Sequence, residues 1–263
     1  MSEPTLHHEL AGAGSPALVF VHGLCCAGED WSAQVAALAG KHRILTVDLR
    51  GHGRSIGFDS GFDIPTSAAD VVSLTRALAL GPAVVIGHSM GCRVAVETAR
   101  LAPDLFRAVV LVDGSALAPA AAPGAPRPAV DFGAVRAGLF DAMFLEGSDP
   151  ALKRRIIQRA SAVAAAVGQS FHDSMVAYDA GRMEAALSAL EVPVGIVQST
   201  YMNPERVRVP VAPGMSVPWL TLVERTVRDV RIEIAGGVGH FTMIEAPGAV
   251  NAMVAGIAER VAA

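Results

Sequence analysis

Ser89 is the residue around which a reaction can be written. It stands in Gly87-His88-Ser89-Met90-Gly91, directly after the apolar run Ala83 to Ile86 and directly before a helix-compatible segment. A Gly-x-Ser-x-Gly set between a strand and a helix predicts a tight turn that lifts the serine hydroxyl to the carboxyl end of a sheet. The flanking glycines suit a turn too tight for side chains. The following helix start offers N–H groups and a dipole favourable to developing negative charge. A serine hydroxyl is a weak nucleophile at neutral pH, so it needs a base within hydrogen-bond reach and an acid to orient that base. Of eight histidines, His240 is best placed: it follows the last apolar strand in Gly236-Gly237-Val238-Gly239-His240-Phe241, where a glycine-rich loop can bring an imidazole over Ser89. His88, inside the turn, reads as a packing residue and His22 as a prop for its own loop. His52 sits in a turn, and His7, His8, His42 and His172 read as ordinary surface or lid residues.

The elements that must position these groups are legible as apolar runs. Ala17–Val21, Arg43–Val47, Ala83–Ile86, Ala108–Val112, Pro193–Val197 and Val230–Ile234 have the continuous apolar or β-branched character of strands buried in a parallel sheet, and Leu6–Leu10 reads as a short edge strand. Helical patterns alternate with them: Trp31 to Ala39, Pro65 to Leu78 stopped by Gly81-Pro82, the segment after Ser89, Trp219 to Arg228, and a closing helix with Val250, Met253, Val254, Ile257 and Val261 on one stripe. Such alternation predicts an α/β fold, a mostly parallel sheet flanked by helices. The pattern breaks at Ser115. Residues 115–130 are rich in Ala and Pro, and from about Phe132 to Leu187 the signals are helical only. Residues 115–186 are therefore expected to form a helical lid inserted in a core made of 1–114 and 187–263. Phe140, Met143, Phe144, Phe171, Met175 and Tyr178 are expected to pack mainly within the lid, with one or two facing the cleft. Lys153, Arg154, Arg155 and Arg159 read as a solvated helix face. Tyr201 to Pro218 reads as a long loop.

Composition narrows the function classes. A formal charge of −4 and a pI near 6.0 argue against a general nucleic-acid binder. No run approaches the roughly 18 to 20 apolar residues of a membrane span, and the first residues lack the basic and apolar regions of a signal peptide. Cys25, Cys26 and Cys92 suit neither a disulfide framework nor a zinc site, and predict small buried residues in a reducing cytoplasm.

Four motifs in order, His22-Gly23, Asp48-x-Arg50-Gly51-His52-Gly53-x-Ser55, Gly87-His88-Ser89-Met90-Gly91 and Gly239-His240-Phe241 followed by Glu245-x-Pro247, resemble the α/β-hydrolase superfamily over nearly the whole chain. The resemblance implies Ser89 as nucleophile and His240 as general base. It also implies an oxyanion hole from the backbone N–H groups of Leu24 and Met90, with Cys25 a less favoured second donor. The Asp48-to-Ser55 motif reads as a structural turn. Many members of the superfamily carry the acid after the strand that follows the lid, but here that strand runs into Gln198-Ser199-Thr200 with no carboxylate. Asp113, at the end of the strand after the nucleophile helix, is taken as the acid, with Glu205, a few residues past the usual place, the second candidate; a degraded triad, with Asp113 a plain strand-end cap, is the remaining reading. The expected activity is that of a serine hydrolase on a small, mainly apolar carboxylic ester, lactone or thioester, without metal or organic cofactor. Carbon–carbon bond hydrolysis, cofactor-free oxygenation and a slow-turnover ligand receptor are alternatives on the same scaffold. The pattern leaves oligomeric state open.

Overall fold

The computed structural model of the protein describes residues 5–116, 131–203 and 207–262. Its centre is a seven-stranded sheet in the order β1-β3-β2-β4-β5-β6-β9, where β1 is His8–Ala11, β2 Ala17–Val21, β3 Ile44–Val47, β4 Ala83–His88, β5 Phe106–Val112, β6 Val194–Gln198 and β9 Val230–Ile234. Only β1 runs antiparallel. The inner strands are buried, apart from Arg107 near the start of β5, because helices cover the sheet, while the edge strands β1 and β9 stay half-exposed. This is the mostly parallel α/β architecture that the apolar runs predict.

The helices fall into two sets. Helix α1 (Ser32–Leu38) packs with α9 (Thr242–Glu245) and α10 (Pro247–Arg260), whereas α2 (Ile64–Ala77) packs with α3 (Met90–Leu101). Local chemistry marks the ends: Asp63 caps α2 through the Thr66 N–H at 2.7 Å, with Pro65 in the first turn. Between β5 and β6 stand α4 (Phe132–Asp141), α5 (Pro150–Ala162), α6 (Ala165–Gly181) and α7 (Met183–Ser188), and α7 packs on α3 and on α8 (Pro218–Thr226).

Three expectations change. Tyr201 to Pro218 is not all loop: β7 (Thr200–Met202) and β8 (Arg208–Pro210) form an antiparallel pair, with Met202 opposite Arg208. Three-residue strands are too short to show an alternation in sequence. His42 is not a surface group; it is 6% exposed and its Nδ1 lies 3.0 Å from the Pro16 carbonyl oxygen. Arg159 does not belong to a solvated face. It leaves α5 to pair with Asp30 and Glu29 in the loop after β2, with its side chain 16% exposed. Sequence spacing along one helix cannot reveal a carboxylate that approaches from another element.

Candidate active site

The turn after β4 has the strain its glycines anticipate. Ser89 adopts φ 53° and ψ −113°, a region that costs a non-glycine residue on the order of 1–3 kcal/mol and persists only where its surroundings enforce it. The enforcement is steric. A Cβ on Gly87 would lie 2.1 Å from the Gly91 carbonyl oxygen, and one on Gly91 would lie 2.5 Å from the Val21 carbonyl oxygen. The Ser89 N–H donates to the Val112 carbonyl at 3.0 Å, which fixes the turn to the neighbouring strand.

The residues singled out from sequence come together at the carboxyl ends of β4 and β5. Ser89 Oγ stands 2.8 Å from His240 Nε2, and His240 Nδ1 stands 2.5 Å from Asp113 Oδ2. An ionised Asp113 makes Nδ1 the protonated nitrogen, leaving Nε2 to accept the Ser89 proton. Glu205, the other acid candidate, lies outside the described residues. Asp113 is fully buried with φ 45°, and its Oδ1 accepts the N–H groups of Ser199 and Thr200, both at 2.8 Å, and Gln198 Nε2 at 3.1 Å. Thr200 Oγ1 donates to Oδ2 at 2.6 Å. The segment that lacked a carboxylate thus supplies the donors that hold one. Since β5 and β6 are neighbours in register, the residues that follow both strands meet at the Asp113 carboxylate beside the imidazole.

The electrostatics follow from burial and from a charge that sequence reading missed. Burial works to raise the Asp113 carboxyl, but the hydrogen bond from His240 and the positive groups around it prevail and hold it at about 2. His240 is pushed down to about 4, first by burial and then by the Arg208 guanidinium, against the pull of Asp113. Arg208, on β8, lies with Nη1 3.5 Å from Asp113 Oδ2, 3.1 Å from His240 Nδ1 and 2.8 Å from Thr200 Oγ1. Only the short hairpin brings it there, so no spacing in the chain signals it.

His88 and His22 act as supports. His88 Nε2 donates to the His240 carbonyl at 2.9 Å, and burial followed by its neighbour His240 lowers its pKa to about 3, so it stays neutral. His22 Nε2 accepts the Leu49 N–H at 2.9 Å, tying the β2 loop to the Asp48 turn. That turn is structural: Asp48 accepts the N–H groups of Gly28 at 2.7 Å and Arg54 at 2.9 Å. Cys25, Cys26 and Cys92 are buried free thiols.

Gly23, Leu24, Cys26, His88, Ser89, Phe140, Met143, His240 and Phe241 enclose a cavity of about 10 Å³ at the serine, room for roughly one water. Two of the residues from the helical segment, Phe140 and Met143, therefore face Ser89. Met90 opens α3, so its N–H has no acceptor within the helix. The covering turn is tied to the histidine loop: His240 N–H donates to the Met143 carbonyl at 2.8 Å, Phe144 stacks on Phe241 at 5.2 Å, and Ser148 Oγ donates to Glu245 at 2.7 Å. Behind the turn, Arg93 on α3 is fully buried in a two-point pair with Asp179 of α6, at 2.8 and 2.6 Å.

Comparison with known proteins places this geometry among relatives. A model described as "Alpha/beta hydrolase family" matches residues 18–253. The chain is 36% identical over 109 residues to 2-(acetamidomethylene)succinate hydrolase of Mesorhizobium japonicum, covering 41% of this chain and 39% of that one. It is 44% identical over 97 residues to a non-heme chloroperoxidase of Streptomyces lividans, covering 36% and 35%. These matched stretches span well under half the length of the curated relatives. In fold, a thermophilic esterase from Thermogutta terrifontis superposes with a TM-score of 0.78 at 20% identity, covering 98% of this chain and 94% of that one.

Proposed function

Because the chain belongs to the α/β hydrolase family, we propose that it is a serine hydrolase that cleaves a small, mainly apolar carboxylic ester, lactone or thioester through an acyl-enzyme on Ser89. The observation that carries this is the unbroken hydrogen-bond line from Ser89 Oγ through His240 to Asp113. His240 takes the serine proton as Oγ attacks the carbonyl, and Asp113 steadies the imidazolium that forms. The oxyanion rests on the N–H groups of Leu24 and Met90, each such donor contributing roughly 3 to 4 kcal/mol to the barrier reduction. His240 then returns the proton to the leaving alcohol or thiol, and water repeats the cycle on the acyl-enzyme.

In this reading residues 115–186 form a lid on a core of 1–114 and 187–263, and 117–130 lie outside the described residues. The cavity at Ser89 holds about one water, so substrate enters by displacement of Phe140 and Met143. The apolar lining from Leu24, Phe140, Met143 and Phe241 favours an acyl chain or ring over a sugar. Three free thiols suit a reducing, cytoplasmic compartment. Among the described residues no helix is long and apolar enough to cross a membrane.

The test is burst and steady-state hydrolysis of short and medium p-nitrophenyl esters by wild type and Ser89→Ala. Turnover that vanishes in the variant supports the reading. A wild type without burst or turnover sinks it and brings forward the oxygenase, carbon–carbon hydrolase and receptor alternatives.

A further inference from the structure

Arg93 and Arg50 each hold one carboxylate in a two-point pair, whereas Arg159 divides its Nη groups between Asp30 and Glu29 and leaves a buried Nε without a partner among the described residues. Arg93 holds both oxygens of Asp179, and Arg50 reaches both oxygens of Asp70 through Nε and Nη2. Arg208 is held by its carboxylate more loosely than any of these. Its side chain is 8% exposed, yet it reaches Asp113 only at 3.5 Å, and its buried Nε has no hydrogen-bond partner among the described residues. Its Nη1 stands 3.1 Å from His240 Nδ1, which already carries a proton for Asp113, so two donors face each other. A weakly paired buried charge is a poor stabilising device, because its desolvation is not repaid by the pairing. Its position bears instead on whichever neighbour changes charge.

That neighbour is His240. The groups facing it come from every element around it: Ser89 and neutral His88 from the end of β4 and the turn after it, Asp113 after β5, Ser199 and Thr200 around the β6–β7 junction, Arg208 on β8, and the Met143 carbonyl from the covering turn. Arg93 on α3 adds positive charge from further away, held by Asp179. Among these described groups Asp113 favours imidazolium and Arg208 opposes it at contact distance. Thr200 Oγ1 links the two, accepting from Arg208 and donating to Asp113, so the cation also draws on the carboxylate that steadies His240.

We propose that Arg208 is a positioning residue that sets the protonation of His240: its buried guanidinium, seated behind the Asp113–His240 pair, keeps the imidazole neutral in mild acid so that Ser89 remains activated there. The inference rests on His240 serving as the base of the proposed reaction. Arg208 does not line the cavity at Ser89, so it acts through His240 and not on the substrate.

The experiment reads His240 directly. Protein labelled with ¹³C at histidine Cε1 is titrated by NMR, with the His240 signal assigned by its loss in His240→Gln. Wild type, Arg208→Lys, Arg208→Gln and Arg208→Met are compared; the methionine variant brings in no buried polar group of its own, Thr200 Oγ1 keeping its bond to Asp113, and either neutral variant suffices. Removing the charge raises the His240 midpoint by about one pH unit or more, and lysine retains at least half of the effect. The acid limb of kcat/KM moves by the same amount with KM unchanged. A midpoint that stays within about 0.3 units in the neutral variants, or that moves equally in the lysine variant, overturns the proposal. Absence of turnover in wild type refutes the hydrolase reading and leaves the titration readable, so the two failures are distinct.

Discussion

Replacing Asp113 by Asn is the most informative single change. Three N–H donors, from Ser199, Thr200 and Gln198, converge on Oδ1. Only the amide oxygen of an asparagine can receive them, so its NH₂ must occupy the Oδ2 position, opposite His240 Nδ1. Nδ1 then has to accept, and the ring proton moves to Nε2, the nitrogen that takes the Ser89 proton in the proposed reaction. The base is present but in the wrong tautomer. A swap of this kind lowers kcat roughly 10⁴-fold, equivalent to about 5.4 kcal/mol of barrier. Asp113 is fully buried and does not line the cavity, so KM should hardly move. The assay is pre-steady-state and steady-state hydrolysis of p-nitrophenyl butyrate, with a circular dichroism melt to show that the variant is folded. A folded variant that keeps more than one-tenth of wild-type kcat would refute the tautomer argument and direct attention to Glu205.

Acid should weaken the fold before it protonates Asp113. His22, His52, His88 and His240 lie at about 3, 4, 3 and 4, in each case first because burial disfavours the charged ring. Their folded pKa values lie below the ordinary 6.5, so the unfolded chain binds more protons between about pH 4 and 6.5, and stability falls as pH drops through that window. Each histidine contributes up to about 1.4 kcal/mol per pH unit. Asp113, depressed to about 2, contributes stability that is lost only as pH falls below its ordinary value of 3.8. Urea midpoints at pH 7 and pH 5 check this, and equal midpoints would contradict it. Arg159→Met strands Asp30, 4% exposed, without its cation, and should cost roughly 3 to 5 kcal/mol in chemical denaturation. Adding Asp30→Asn should recover part of that loss; no recovery would mean that Arg159 acts through packing. Phe140→Ala should cost about 3 kcal/mol while opening the space above Ser89. On the proposed reading, KM falls for longer acyl esters, and an unchanged chain-length preference would show that Phe140 does not gate the serine.

Much of this protein is written in local chemistry. The inner strands announce themselves because a strand buried on both faces must be apolar throughout, as Leu18 to Val21 and Val84 to Ile86 are. The turn at Ser89 is equally legible, since Gly87 and Gly91 sit where any Cβ would strike backbone. The helices between β5 and β6 show as a change of period. What sequence leaves open is set by approach across the fold. Asp113 and Glu205 are both acids near a strand end, and only the pairing of β5 with β6 puts the Ser199 and Thr200 amides on the Asp113 carboxylate. Arg159 looks solvated along its own helix, and only the docking of α5 brings it to Asp30. Arg208 is ordinary in sequence. It meets His240 because a hairpin of three-residue strands, too short to leave a periodic trace, folds it back over Thr200. Hydrophobic periodicity reports which face of an element is buried, whereas the charge environment of His240 depends on contacts between residues far apart in the chain, and those exist only once the elements have packed.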